Sequence, residues 1–133
     1  NMADYFSHWL DFGRHLPDPP RIFRVNWFRR DAHGRFMWPG FGDNMRVLKW
    51  MLDRVQGRGD GFEQVFGTSP RYEDLNWSGL DFPPARFQQV TSIDPEAWQA
   101  EMKLHDELFD KLAWHLPPEL TATKARIEER LAA

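Results

Sequence analysis

With 133 residues, 41% apolar and 15% aromatic side chains and seven tryptophans, the chain is one domain or part of a larger one and can build a core. Seventeen basic against twenty acidic residues leave a net charge of −3, which argues against a general binder of nucleic acid or of anionic membranes. The absence of cysteine excludes disulfides, thiolate metal sites and cysteine nucleophiles, and it suits a reducing, cytoplasmic setting.

Residues 2–15 place Tyr5, Phe6, Trp9, Leu10 and Phe12 at helical spacing, with Asp4, His8, Asp11 and His15 on another face. That polar stripe has a ligand-like spacing, but only neighbours along it can share an ion, and it reads as a solvated face. Pro17, Pro19 and Pro20 end the helix. Residues 21–28 (RIFRVNWF) read as a strand, 31–34 as a turn and 35–38 as a second short strand, which predicts a hairpin. Residues 39–42 form a tight loop before a helix over 45–55, whose apolar stripe is Val47, Leu48, Met51, Leu52 and Val55.

Residues 57–61 (GRGDG) are a loop, and Arg58-Gly59-Asp60 within it is a plain turn. The stretch 62–93 holds short strand-like pieces at 62–66 and 87–90, interrupted by Pro83 and Pro84. Asp94 caps a long helix with Pro95 at its first position. Trp98, Met102, His105, Phe109, Leu112 and Leu116 share one face of it, which makes His105 a core histidine. Pro117 and Pro118 stop that helix, and a last one over 119–131 turns Ile127 and Leu131 inward. No apolar run approaches the roughly 20 residues of a membrane span. The expected class is α+β (mixed α/β), a short hairpin or strands packed with three to four helices.

The stretch 26–44, NWFRRDAHGRFMWPGFGDN, carries the functional signal. Trp27, Phe28, Phe36, Trp38 and Phe41 crowd a backbone shaped by Pro39, Gly40 and Gly42, and two readings stand side by side. Five rings can close a small core around the hairpin. Equally, flat rings on an exposed loop can stack on a planar heterocycle, each base stack being worth roughly 1–3 kcal/mol. Strand alternation puts Phe23, Val25 and Trp27 on the core side and frees Phe28.

Asn44 stands where a helix N-cap belongs, worth about 1 kcal/mol, and its carboxamide also matches the O6 and N1–H edge of guanine. An amide turned round would serve adenine, so Asn44 by itself does not choose. Discrimination would need the N–H groups of residues 41–44 to face O6, where a wrong base leaves buried polar groups unpaired. The chain has no G-x-x-x-x-G-K-[ST] loop, no Ser/His/Asp elbow and no metal-binding His motif.

The segment 36–44 (FMWPGFGDN), continued by Arg46-Val47-Leu48-Lys49-Trp50-Met51, closely resembles the C-terminal region of GTP-dependent phosphoenolpyruvate carboxykinases. Residues 1–10 (NMADYFSHWL) and 22–30 (IFRVNWFRR) match the same family in the same order. The resemblance is close over residues 1–55 and loose beyond, the helix after Asp94 fitting the family's end. It implies a cytoplasmic enzyme of gluconeogenesis that interconverts oxaloacetate plus GTP with phosphoenolpyruvate, carbon dioxide and GDP. A manganese ion at the active site and a second magnesium or manganese with the nucleotide are implied too.

By that resemblance Phe28 and Phe41 stack on the two faces of guanine and Phe36 packs at its edge. Asn44 reads the base with the backbone of residues 41–44, Gly42 and Asp43 included. The family often carries Glu where this chain has Asp43. Its phosphate loop with a reactive cysteine, its metal ligands, substrate arginines and mobile lid all precede this region and have no match here. The chain is therefore expected to be a single C-terminal fragment over 1–133, inert by itself. Within it, 1–61 would be the guanine-binding part, 62–93 irregular with short strands, and 94–133 the C-terminal helices. Expected partners are a guanine nucleotide and the rest of the parent enzyme, with no nucleic acid and no membrane. The full enzyme would be a monomer, and the fragment's uncovered surfaces could pair between copies. The rival reading is an aromatic-loop module that docks a Pro-rich peptide on Trp27 and Trp38.

Overall fold

Side-chain capping sets the starts of two helices. Asn1 Oδ1 accepts the Ala3 N–H at 2.9 Å, and Asp94 accepts from the N–H groups of Glu96 and Ala97 ahead of Pro95. The computed structural model describes all 133 residues. In chain order they form α1 (Met2–His15), α2 (Asn44–Val55), β1 (Phe62–Gln64), β2 (Gly67–Ser69), α3 (Pro84–Thr91), α4 (Pro95–Leu112) and α5 (Pro118–Ala132), with short 3-10 turns at Phe41–Asp43 and Tyr72–Asp74. The class is α+β, as expected. No helix is long and apolar enough to cross a membrane. The elements fall into two compact units, Asn1–Pro20 with Ile93–Ala133, and Arg21–Ser92.

In the first unit, Ala3, Met102 and Leu131 are buried, and Arg14 ties Asp11 of its own helix to Glu119 of α5. Trp9 meets Tyr5 and Phe12 edge-on, yet all three stay half exposed. His105 departs from expectation. It lies on the expected stripe of α4 with Trp98, Met102, Phe109 and Leu112, but only Met102 of that stripe is buried; the His105 side chain is 44% exposed and its Nε2 lies 4.0 Å from Glu101. α4 ends at Leu112, so Leu116 falls in the connecting turn.

The second unit closes on Trp38, Trp50, Leu75, Phe82 and Phe87, with Phe23, Trp27, Val47, Met51, Tyr72, Trp77, Leu80 and Val90 packed around them. Trp77 is sandwiched between Tyr72 and Phe82, with centroids 5.0 and 5.1 Å away and near-parallel planes. Its buried polar atoms are satisfied internally: Trp50 Nε1 donates to Asp60 O, Trp77 Nε1 to Tyr72 O, and Tyr72 OH to Phe82 O. Gly61 lies so close under Trp50 that a Cβ there would be 2.9 Å from Ser69 O and 3.3 Å from Trp50 Cζ2.

Three sequence expectations fail in this unit for local reasons. The hairpin over 21–38 reduces to a single bridge between Arg30 and Phe36. Asn26 Oδ1 takes the Phe28 N–H, and Asp31 Oδ1 takes those of His33 and Arg35, so side chains claim donors that a ladder would need. The hairpin that does form is β1–β2, antiparallel, with Phe62 opposite Ser69 and Gln64 opposite Gly67. Residues 87–90 are helical, inside α3, because Pro84 starts a helix that turns Phe87 and Val90 together onto the core. In α2 the inward stripe is Val47, Trp50 and Met51, while Leu48, Leu52 and Val55 remain exposed.

Candidate functional site

The loop 26–44 sorts its five rings by type. Trp38 is 6% exposed, with Trp27 at 5.8 Å and Phe82 at 5.6 Å between ring centroids. The phenylalanines face outward: Phe28 is 72%, Phe36 50% and Phe41 96% exposed. Trp27 inside and Phe28 outside is the arrangement expected from alternation, although Val25 is also exposed. Phe28 meets Phe36 edge-on at 6.0 Å, and the Arg30 guanidinium lies 4.5 Å over the Phe36 ring. Phe41 stands apart from that pair, without a ring neighbour.

Several contacts hold the loop in place. Arg29 donates to the carbonyls of Val90 and Ser92 and to Ser92 Oγ, which fastens the loop to the C-terminal end of α3. Asp31 closes the 31–35 turn. The Arg35 backbone N–H, and beyond it the Arg35 and His33 bonds, hold its carboxyl below the ordinary aspartate value. Gly40 adopts φ 118°, ψ −155°, a conformation open to glycine and strained for any side chain. This sharp reversal starts the 3-10 turn Phe41–Asp43, whose tip is the Phe41 ring.

Within that turn the Asp43 N–H donates to Gly40 O at 3.1 Å and the Asn44 N–H to Phe41 O. These two amides are therefore spent, and of the four N–H groups in the sequence reading only those of Phe41 and Gly42 lie outside the turn's own ladder. Asn44 is the first residue of α2, not its cap, and its Oδ1 accepts from Trp38 Nε1 at 2.7 Å. Asp43 turns toward Arg46, with Nε 2.8 Å from Oδ1. The same guanidinium reaches the carbonyls of Asn76 and Ser78. The supporting roles of Trp38, Arg29 and Arg46 went unnoticed in the sequence. The i, i+3 spacing of Asp43 and Arg46 was the one readable hint.

Elsewhere the chemistry is thinner. An open hollow of about 750 Å³ beside α4 and α5 is lined by Asp106, Phe109, Leu116, Lys124 and Glu128 among others. Lys124 already pairs with both Asp106 and Glu128, which raises its pKa, Glu128 contributing most. The polar stripe of α1 does not converge: Asp11 bonds Arg14, and His15 Nδ1 contacts its own helix at Asp11 O. No group of three or more His, Cys, Asp or Glu side chains is placed to hold a metal ion.

Residues 1–130 match the family model described as "Phosphoenolpyruvate carboxykinase C-terminal P-loop domain". Curated relatives named phosphoenolpyruvate carboxykinase [GTP] align along the whole chain. The one from Anaeromyxobacter dehalogenans is 45% identical over 133 residues, and the one from Corynebacterium jeikeium 39% over 134. One from an Arthrobacter species is 42% identical over 134 residues and 99% of this chain. The chain spans 22% of the length of each of these relatives. With the family model covering nearly every residue and relatives aligned from end to end, the chain belongs to the GTP-dependent phosphoenolpyruvate carboxykinases, in the C-terminal part of their sequence.

Proposed function

We propose that the outer face of loop 28–44 is the guanine end of a carboxykinase nucleotide site. Phe28 and Phe41 take the two faces of the base, Phe36 its edge, and the Asn44 carboxamide its polar edge, with the Phe41 and Gly42 backbone N–H groups that the turn leaves unspent. The observation that carries this reading is the sorting of the rings. Three phenylalanines that burial would stabilise stay in water, while neighbouring tryptophans fill the core. An exposed apolar cluster at a fixed, glycine-shaped turn suits a ligand. Asp43, engaged by Arg46, supports the turn and does not need to touch the base.

The parent reaction in this reading is the conversion of oxaloacetate and GTP to phosphoenolpyruvate, carbon dioxide and GDP in the cytoplasm. A stacked base positions a phosphoryl donor without stabilising its transfer, so the chain alone is inert and binds GDP weakly. The manganese and magnesium of that reaction do not fit any acidic or histidine cluster of this chain. The rival peptide-docking reading needs open indoles at Trp27 and Trp38, but Trp38 is buried and Trp27 packs against it.

Titration with GDP and with ADP, followed by Trp fluorescence, tests the proposal. GDP should change the signal at lower concentration than ADP, and Phe41→Ala should weaken the response to both. Equal responses to the two nucleotides, or a GDP affinity untouched by Phe41→Ala, would overturn it.

A further inference from the structure

We infer that Trp38 sets the base preference of this site by fixing which end of the Asn44 carboxamide faces the nucleotide, an inference that rests on reading the loop as a base site. An indole N–H donates and cannot accept, so the group 2.7 Å from Trp38 Nε1 is the amide oxygen. The reversed amide would set two donors against each other. Neither partner is free to move away. Trp38 is 6% exposed and wedged among Trp27, Trp77 and Phe82, with centroids 5.8, 6.3 and 5.6 Å away, and Asn44 is the first residue of α2.

The planar amide then points Nδ2 away from the indole. Nδ2 has no partner in the chain. Asn44 is only partly buried, and no buried side-chain nitrogen or oxygen lacks a partner, so Nδ2 reaches solvent. The end of Asn44 that a ligand meets is thus a donor alone. A base with a carbonyl at position six offers it an acceptor, whereas the amino group of adenine opposes donor to donor. With the Asp43 and Asn44 backbone amides already engaged in the turn, the locked side chain carries much of the choice. A free asparagine would be ambiguous, and Trp38 removes the ambiguity. Trp38 is a positioning residue, touching Asn44 and not the base.

The test uses a full-length carboxykinase carrying this segment. Trp38 is replaced by β-(3-benzothienyl)alanine, which keeps the bicyclic shape and puts sulfur where the N–H was. KM and kcat are measured with GTP and with ATP. One unmade hydrogen bond predicts a KM for GTP raised roughly tenfold, a lower KM for ATP, and kcat at saturating GTP unchanged. A role in packing alone would leave the GTP/ATP ratio as it was, and that result overturns the inference. Asn44→Ala and Phe41→Ala separate the two readings. If they weaken GTP use while the benzothienyl variant keeps full discrimination, the lock is wrong and the base site stands. If neither moves the KM for GTP, the loop is not a base site and both fall.

Discussion

Arg46 grips Asp43 with Nε 2.8 Å from Oδ1, while its other nitrogens donate to the main-chain carbonyls of Asn76 and Ser78, thirty residues along the chain and beyond. One planar side chain thereby joins the aromatic turn, the start of α2 and the segment that carries Trp77. A lysine has one charged nitrogen and cannot span three acceptors with this geometry. Both Arg46→Lys and Arg46→Ala are therefore expected to lower stability by about 2 kcal/mol, discounted for partial exposure. The urea midpoint reads the change, and a lysine variant as stable as the parent would exclude the fork.

Gly40 and Gly42 flank Phe41 and are expected to behave oppositely. Gly40 holds φ 118°, so Gly40→Ala should cost about 1–3 kcal/mol through backbone strain although the space around it is open. Gly42 has no such φ, and a Cβ there meets nothing within 4 Å. Gly42→Ala should leave thermal stability unchanged, and any loss of GDP affinity in that variant would report a close approach of the base.

The rings separate folding from binding. Phe82, at 2% exposure, should cost about 3–5 kcal/mol when cut to alanine. Phe41, at 96% exposure, should cost less than about 0.5 kcal/mol, and its loss should appear in nucleotide affinity instead. Denaturation and GDP titration on the same two variants check both halves.

Acid should act through three aspartates. The Arg35 backbone N–H lowers the pKa of Asp31, the Lys49 side chain that of Asp53, and the Arg14 side chain that of Asp11. A folded-state value below the unfolded one means that the contribution is complete above the ordinary aspartate range. It is lost as pH falls through the depressed values. Thermal midpoints should therefore stay level from neutrality to about pH 4 and fall below it. Asp31→Asn should shallow that fall. Lys124 acts in the opposite sense: its raised value makes its contribution present at neutral pH and lost only in strong alkali.

Much of the helical frame was legible because it is local. Asn1 and Asp94 cap with their own side chains, Pro95 and Pro118 sit at first turns, and the stripes of α1 and α5 need no distant partner to be seen. The hairpin over 21–38 was misread because β-rich composition says nothing of Asn26 and Asp31 taking the backbone donors for themselves. α3 was missed because a short apolar run fits either period, and only the core that receives Phe87 and Val90 decides between them.

The amino-acid order by itself determined the α+β class, the starts of α1, α4 and α5 and the presence of an aromatic, glycine-shaped loop with an amide beside it. Which rings would be buried was decided only by the folded unit. The indoles of Trp38, Trp50 and Trp77 found acceptors for their N–H groups in Asn44, Asp60 and Tyr72; among the phenylalanines, Phe82 and Phe87 joined that core, whereas Phe28, Phe36 and Phe41 of the loop were left facing water. Hydrogen-bond partners six to ten residues away are a property of packing, and no pattern of residue types along the chain specifies them.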